Sequence, residues 1–434
     1  MGMLRQGASL LVKQRDFSFL MGAQFLAQAG DGLVQGALAK LIVFGGQKGF
    51  DVEGARSPDE LLRIVLYIFI PYTIISPFLG VVIDRWDRRR LLFAANGLRA
   101  VVIALIGLAG TTSVGDLALF LAFLLTLAST RVVLATKSAA LPETVDRSTL
   151  VEANALSQFG GAIFQLGGAG VAIIAATVLD AEPIVLAGAL VYAAGAFFAL
   201  GIKRAGEARV KSTFMQEVAR VARSILDGIH EVARTPKAAA SITTYFWLRL
   251  LWSFSIVGIG FVSRDLLAND DLGVLLITGG AGAAGAALGF MMANRLSQQV
   301  TTTAQLVLGA SGIAGVAVAV LGALELPFTL GLLTFCLGFG FFLGKISLDT
   351  MVQEALGDNF RGRAFSLYDI AYNLAWVVAA AIMKLLWDGL GSLLISAMGV
   401  AFLIGVAAIG MWFRSAGLLG AGPLTAESGG GSQL

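Results

Sequence analysis

The chain has 434 residues, 57% of them hydrophobic and only 14% charged, with one Cys, one His and a formal net charge of +3. A soluble protein carries roughly a quarter charged residues, so a surface this poor in charge excludes a water-soluble globule and makes lipid the main solvent. Lone Cys336 and lone His230 exclude a disulfide framework and a His/Cys metal cage, no cofactor is expected, and so small a net charge argues for no nucleic-acid partner.

The apolar runs are longer than barrel strands, and open sheet edges are not tolerated in hydrocarbon, so the membrane segments are helices. In chain order the spans are Phe17–Phe44, Leu61–Ile83, Leu91–Gly110, Leu117–Leu134, Ala153–Leu179 and Pro183–Ile202. A second set covers Ala239–Val262, Gly273–Ala293, Thr303–Leu324, Phe328–Gly344, Ala364–Leu386 and Ser392–Phe413. Each is near the roughly 20 apolar residues that a bilayer crossing needs, and the first is too long for the core of a cleavable signal peptide. The expected fold class is an all-α polytopic membrane protein, with twelve transmembrane helices in two pseudo-symmetric six-helix bundles. Residues 1–202 form the first bundle, 203–238 a cytoplasmic amphipathic linker, 239–416 the second bundle and 417–434 a disordered Gly- and Ser-rich tail.

Lys and Arg set the orientation. One set of alternating loops holds Arg85, Arg88, Arg89 and Arg90, then Lys137 and Arg147, the basic stretch from Lys203 to Lys237, Arg295, Arg361 and Arg363, with Arg414 opening the tail. Opposite loops are short and nearly free of basic residues, apart from Gly45–Glu60, whose Lys48 and Arg56 are offset by four acids. Both termini are therefore expected in the cytoplasm. In the linker, Phe214, Val218, Val221, Ile225, Ile229 and Val232 recur every three or four residues, which marks an amphipathic helix bracing the halves on the cytoplasmic face.

Ionisable groups at bilayer depth cost about 2.5–3.5 kcal/mol each on insertion scales, so each needs a reason. Gln24, Gln28, Asp31 and Gln35 step by four, three and four along the first span and share one face. That face lines either a helix interface or an aqueous cavity, where Asp31 is a substrate or proton site. Arg249, at mid-membrane in the seventh span, needs a carboxylate, carbonyls or an anionic ligand, and Asp31 is its natural partner if the halves face each other. Trp247 and Trp252 stand beside it. Weaker stripes are Asn154, Gln158 and Gln165 in the fifth span, and Asp369, Asn373 and Trp376 in the eleventh, with Tyr368 and Tyr372 alongside. Arg131 in the fourth span follows the same logic, while Lys345 and Asp349, four apart, neutralise each other or serve the site. The glycine-rich fifth and eighth spans are expected to meet across the interface between halves.

After the second span stand Gly80, Asp84, Arg85, Arg88, Arg89 and Arg90 in the order G-x-x-x-D-R-x-x-R-R-R. This resembles the signature loop of the major facilitator superfamily, G-x-x-x-D-R-x-G-R-R/K, with Asp87 in place of the second Gly. The resemblance covers essentially the whole chain. It implies alternating access, with Gly80, Asp84, Arg85, Arg88 and Arg89 forming a cytoplasmic latch and Arg361 and Arg363, just before the eleventh span, as its partners. Within the superfamily, Gly30-Asp31, the run from Ala139 to Glu143 and that from Leu150 to Asn154 look like the macrolide-efflux group and the lysophospholipid-transporter group. The helix-five antiporter motif of many drug exporters is absent, so proton antiport rests on Asp31 alone.

The expected function is a secondary transporter that exports amphipathic small molecules or drugs by exchange with protons. A lysophospholipid flippase, with Arg249, Arg131 or Lys137 on the phosphate, is the first alternative, and an uptake carrier for a polar solute the second. The expected surroundings are membrane lipid in a bacterial cytoplasmic (inner) membrane, and the expected state is a monomer. An embedded enzyme would need a nucleophile with its base or a metal cluster, and a channel a charged ring or filter repeat; the sequence has neither.

Overall fold

The computed structural model describes residues 9–44, 58–75, 78, 86–109, 116–146, 149–203, 214–267, 273–300, 302–355 and 358–419. Their regular structure is helical: α1 Arg15–Phe44, α2 Pro58–Ile75, α3 Arg88–Ala109, α4 Asp116–Thr144, α5 Leu150–Ala176, α6 Ala181–Leu200, α7 Phe214–Arg234, α8 Pro236–Leu267, α9 Gly273–Ser297, α10 Thr303–Leu321, α11 Pro327–Ala355, α12 Asp358–Leu390 and α13 Leu393–Ser415.

Local chemistry explains where these helices begin. Pro58, Pro236 and Pro327 occupy first helical positions, where the missing N–H costs nothing. Thr302 caps α10 by accepting from the Gln305 N–H. Asp87, which stands where the superfamily pattern has Gly, accepts from the Arg90 N–H at 2.9 Å and so caps α3. Gly391, at φ 54°, takes the left-handed conformation that lets α12 reverse into α13 within two residues.

Among the described residues, nine helices are long and apolar enough to cross a bilayer. The twelve-span reading is met to that extent, and α1, α2 and α9 coincide with the remaining spans. The apolarity of α1 is lowered by Gln24, Gln28 and Asp31, α2 opens on Asp59 and Glu60, and Ile277–Ala293 of α9 is a shorter apolar stretch among the described residues. The fourth span was drawn too short: α4 continues ten residues beyond Leu134 to Thr144, with Pro142 inside it, and carries Lys137 within the helix rather than in a loop. Arg361 and Arg363 likewise lie inside α12, not before it.

The chain divides into two compact units, Met1–Ala222 and Arg223–Leu434, with the division inside α7. In the first unit α1 packs on α5 and α6, and α3 on α6. In the second, α8 packs on α12 and α13, and α10 on α13, so the same pairing order recurs. The apolar core of the first unit gathers Phe17, Leu20, Val133 and Leu141 at one level and Val34, Ile103, Val185 and Tyr192 at another.

Part of each glycine stripe serves close approach between helices of its own unit. A Cβ on Gly168 of α5 would collide with the Ala29 carbonyl of α1, and one on Gly289 of α9 would lie 2.5 Å from the Phe339 carbonyl oxygen of α11. The linker helix is α7, as its periodicity predicts. Of its stripe, Val232 is buried while Ile229 is exposed.

Candidate functional site

The buried face of α1 organises the first unit. Gln24, Gln28 and Asp31 are each less than a tenth exposed, and helices α3 to α6 supply their partners. Asp31 Oδ1 accepts from Arg99 Nη1 at 2.7 Å and from the Tyr192 hydroxyl at 2.8 Å. Thr130 Oγ1 lies 3.0 Å from both carboxylate oxygens. Arg99 has no exposed side-chain surface; its Nη2 donates to Asn96 Oδ1, and its guanidinium carbon stands 4.3 Å from the Tyr192 ring centroid. Low local dielectric makes such a pair strong and makes the loss of either member costly.

This geometry corrects the pairing of Asp31 with Arg249: the carboxylate is held by Arg99 of its own unit. Arg99 and Tyr192 were missed in the sequence because both lie within apolar runs counted as whole spans. The signal was present, since Asn96 and Arg99 are polar residues three apart on one face of α3.

A second network starts one turn back on α1. Lys137 Nζ donates to Ser157 Oγ at 2.8 Å, and Ser157 Oγ donates to Gln24 Oε1 at 2.8 Å. Gln24 Nε2 in turn donates to Gln28 Oε1 at 2.7 Å and to the Ser157 carbonyl at 2.8 Å. Gly161 on α5 makes room for it, because a Cβ there would run into the amides of Gln28 and Gln24. Gln35, further along the α1 face, is half-buried and makes no hydrogen bond to either network among the described residues.

Other expected residues are placed elsewhere. Arg131 Nε donates to the Tyr72 hydroxyl at 3.0 Å. Asn154 and Gln158 are exposed, and the Asn154 amide is spent on the Leu150 carbonyl. In the second unit Arg249 is 4% exposed and stacks on Tyr372, 3.7 Å from the ring centroid, with Phe341 and Trp376 at 5.3 and 5.6 Å. The α8 cation and the α12 stripe thus come together as an aromatic cage. Asn373 is fully buried, and Tyr368 packs on Tyr245 at 4.3 Å. Trp247 donates to the Phe402 carbonyl, and Trp252 packs on Phe341 and Phe342, so both serve packing. Lys345 and Asp349 pair with each other at 2.5 Å. The latch residues Gly80, Asp84 and Arg85 lie outside the described residues, as do the side chains of Asp369, Arg361 and Arg363 and the tail from 420. Arg88 and Arg89 occupy the first turn of α3.

The chain is 28% identical over 388 residues to an uncharacterized MFS-type transporter of Mycobacterium bovis, with 85% of each chain covered, and one of Mycobacterium tuberculosis matches to the same extent. The solved nucleoside transporter NupG superposes with a TM-score of 0.67 at 14% identity, over 91% of this chain and 98% of that one. A peptide transporter POT in complex with sulfate gives 0.68 at 15% identity, over 94% and 96%. At such identities the likeness establishes the fold. These neighbours are transporters of nucleosides and peptides, and they overturn the expectation of an efflux antiporter. Nor do the comparisons single out the macrolide-efflux or lysophospholipid groups. The family model described as Major Facilitator Superfamily matches residues 11–380, and the chain belongs to that superfamily of secondary transporters, as a multi-pass membrane protein and not an enzyme.

Proposed function

We propose that the chain is a proton-coupled uptake carrier for a polar solute. The observation that carries this reading is the density of hydrogen-bonding groups buried in the first unit: Asp31, Arg99, Tyr192 and Thr130 in one cluster, Lys137, Ser157, Gln24 and Gln28 in the next. A polar solute needs many side-chain hydrogen bonds, more than an apolar, glycine-rich lining gives; Arg99, Thr130, Ser157 and Tyr192 supply such groups. Solved transporters of the same fold are named for nucleosides and peptides, which are polar solutes and in keeping with this reading.

In this scheme Asp31 carries the proton. Protonation removes the charge that holds Arg99, and with it the attraction that ties α1 to α3 and α6; loss of the proton restores it. Proton occupancy and helix packing are thereby linked, which alternating access requires. The wider frame of the proposal is twelve spans in two six-helix bundles, both termini in the cytoplasm, a latch at Gly80 to Arg89 and a monomer. The basic loops and the family match support it.

The test is transport into proteoliposomes under an imposed pH gradient, with radiolabelled uridine, dialanine and glucose offered in parallel. Wild type accumulates a solute only with the gradient. Asp31→Asn abolishes accumulation yet keeps exchange of labelled for unlabelled solute. Accumulation indifferent to the gradient would sink proton coupling, and movement of fluorescent lysolipid without any polar solute would establish the flippase reading instead.

A further inference from the structure

We infer that Lys137 anchors an anionic oxygen group, carboxylate or phosphate, of the transported solute, with Gln28 as a second donor; this rests on the polar-solute reading and adds charge to it. The inference follows from counting donors and acceptors along the network. The Ser157 hydroxyl accepts from Lys137 and gives its hydrogen to Gln24 Oε1. Gln24 places one amide hydrogen on Gln28 Oε1 and the other on the Ser157 carbonyl. Every side-chain oxygen in the chain of bonds already receives a hydrogen. What is left over is donors: the remaining ammonium hydrogens of Lys137 and the Gln28 amide nitrogen, neither of which has an acceptor among the described residues. Groups left with N–H alone are complementary to an acceptor-rich partner and unsuited to a cation.

Charge points the same way. Lys137 is 6% exposed, and among the described residues no carboxylate lies within ion-pair distance of it. Asp31 on the same face of α1 is held by Arg99, and Lys345, by contrast, has Asp349. A buried ammonium bonded only to a hydroxyl is costly to keep, and an incoming anion would repay that cost. Gly161, whose Cβ would displace the Gln28 amide, shows that α5 leaves space for this arrangement.

The test is thermal unfolding of the purified full chain in detergent, with solutes offered as matched pairs: glucuronate against glucose, glycerol 3-phosphate against glycerol, and lysophosphatidate as the lipid source of the same phosphate. Lys137→Met is expected to raise the midpoint of the ligand-free protein by about 2–4 °C, because it removes an uncompensated cation. It is also expected to abolish the stabilisation by the charged member of a pair, which Lys137→Arg retains. A lower midpoint for Lys137→Met would make the ammonium a structural member and overturn the inference. So would wild type that responds equally to charged and neutral members, an outcome that leaves the polar-solute reading standing. Stabilisation by lysophosphatidate alone upholds the anion site and removes the soluble-solute reading.

Discussion

Arg99→Leu is expected to destabilise the N-terminal unit by about 3–5 kcal/mol, because it strands the Asp31 carboxylate where no water reaches it. Tyr192 and Thr130 would still donate to Asp31, but hydroxyls supply no countercharge. The double variant Asp31→Asn, Arg99→Leu removes both charges, and is expected to recover most of the thermal midpoint lost by Arg99→Leu alone. Its transport is expected to stay uncoupled from the pH gradient. Stability and coupling are thus read on the same three proteins. Equal midpoints for wild type and Arg99→Leu would show that the ion pair contributes nothing net, and recovery of both properties in the double variant would remove Asp31 from proton transfer.

Gly32→Val is the second large effect. A Cβ at Gly32 would lie 2.6 Å from the Ala169 nitrogen and closer still to the Gln165 carbonyl, both of them α5 backbone that cannot swing aside. The side chain must push α1 off α5, at a cost of about 1–3 kcal/mol or more. The same displacement draws Gln24 away from Ser157, so the polar network weakens along with the packing. Gly167→Ala on α5 is the control. Nothing lies within 4 Å of its Cβ, and removing a helical glycine there is expected to be neutral or to stabilise by about 0.5–1 kcal/mol. Comparable losses in the two variants would mean that glycine serves helix flexibility in α1 and α5 rather than close approach.

The fold was largely legible in the sequence, because the bilayer writes its thickness into the chain as long apolar runs and the linker helix has a clean helical period. Asp31 was legible for the same reason, as a carboxylate inside such a run. Its partner was not. Arg249 was chosen because it was the conspicuous cation at matching depth, whereas Arg99 sat unnoticed in a run whose average was strongly apolar. Lys137 was lost to a boundary. A lysine after an apolar stretch reads as the end of a span, yet α4 runs on and buries it. Glycine stripes announced close approach without saying to which helix, since a missing side chain records the contact and not the neighbour.

The Asp31 and Arg99 pair also has a history within each round of synthesis. The carboxylate is made first, and its cation follows 68 residues later; Thr130 comes 99 residues after Asp31, and Tyr192 161. Until α3 emerges, α1 enters lipid carrying an uncompensated acid that costs about 2.5–3.5 kcal/mol at mid-helix. Arg99 bears a like cost on its own. Two helices that are each reluctant to insert become compatible with lipid as a pair, so the order of the ribosome's output makes the insertion of α1 complete only when α3 arrives beside it.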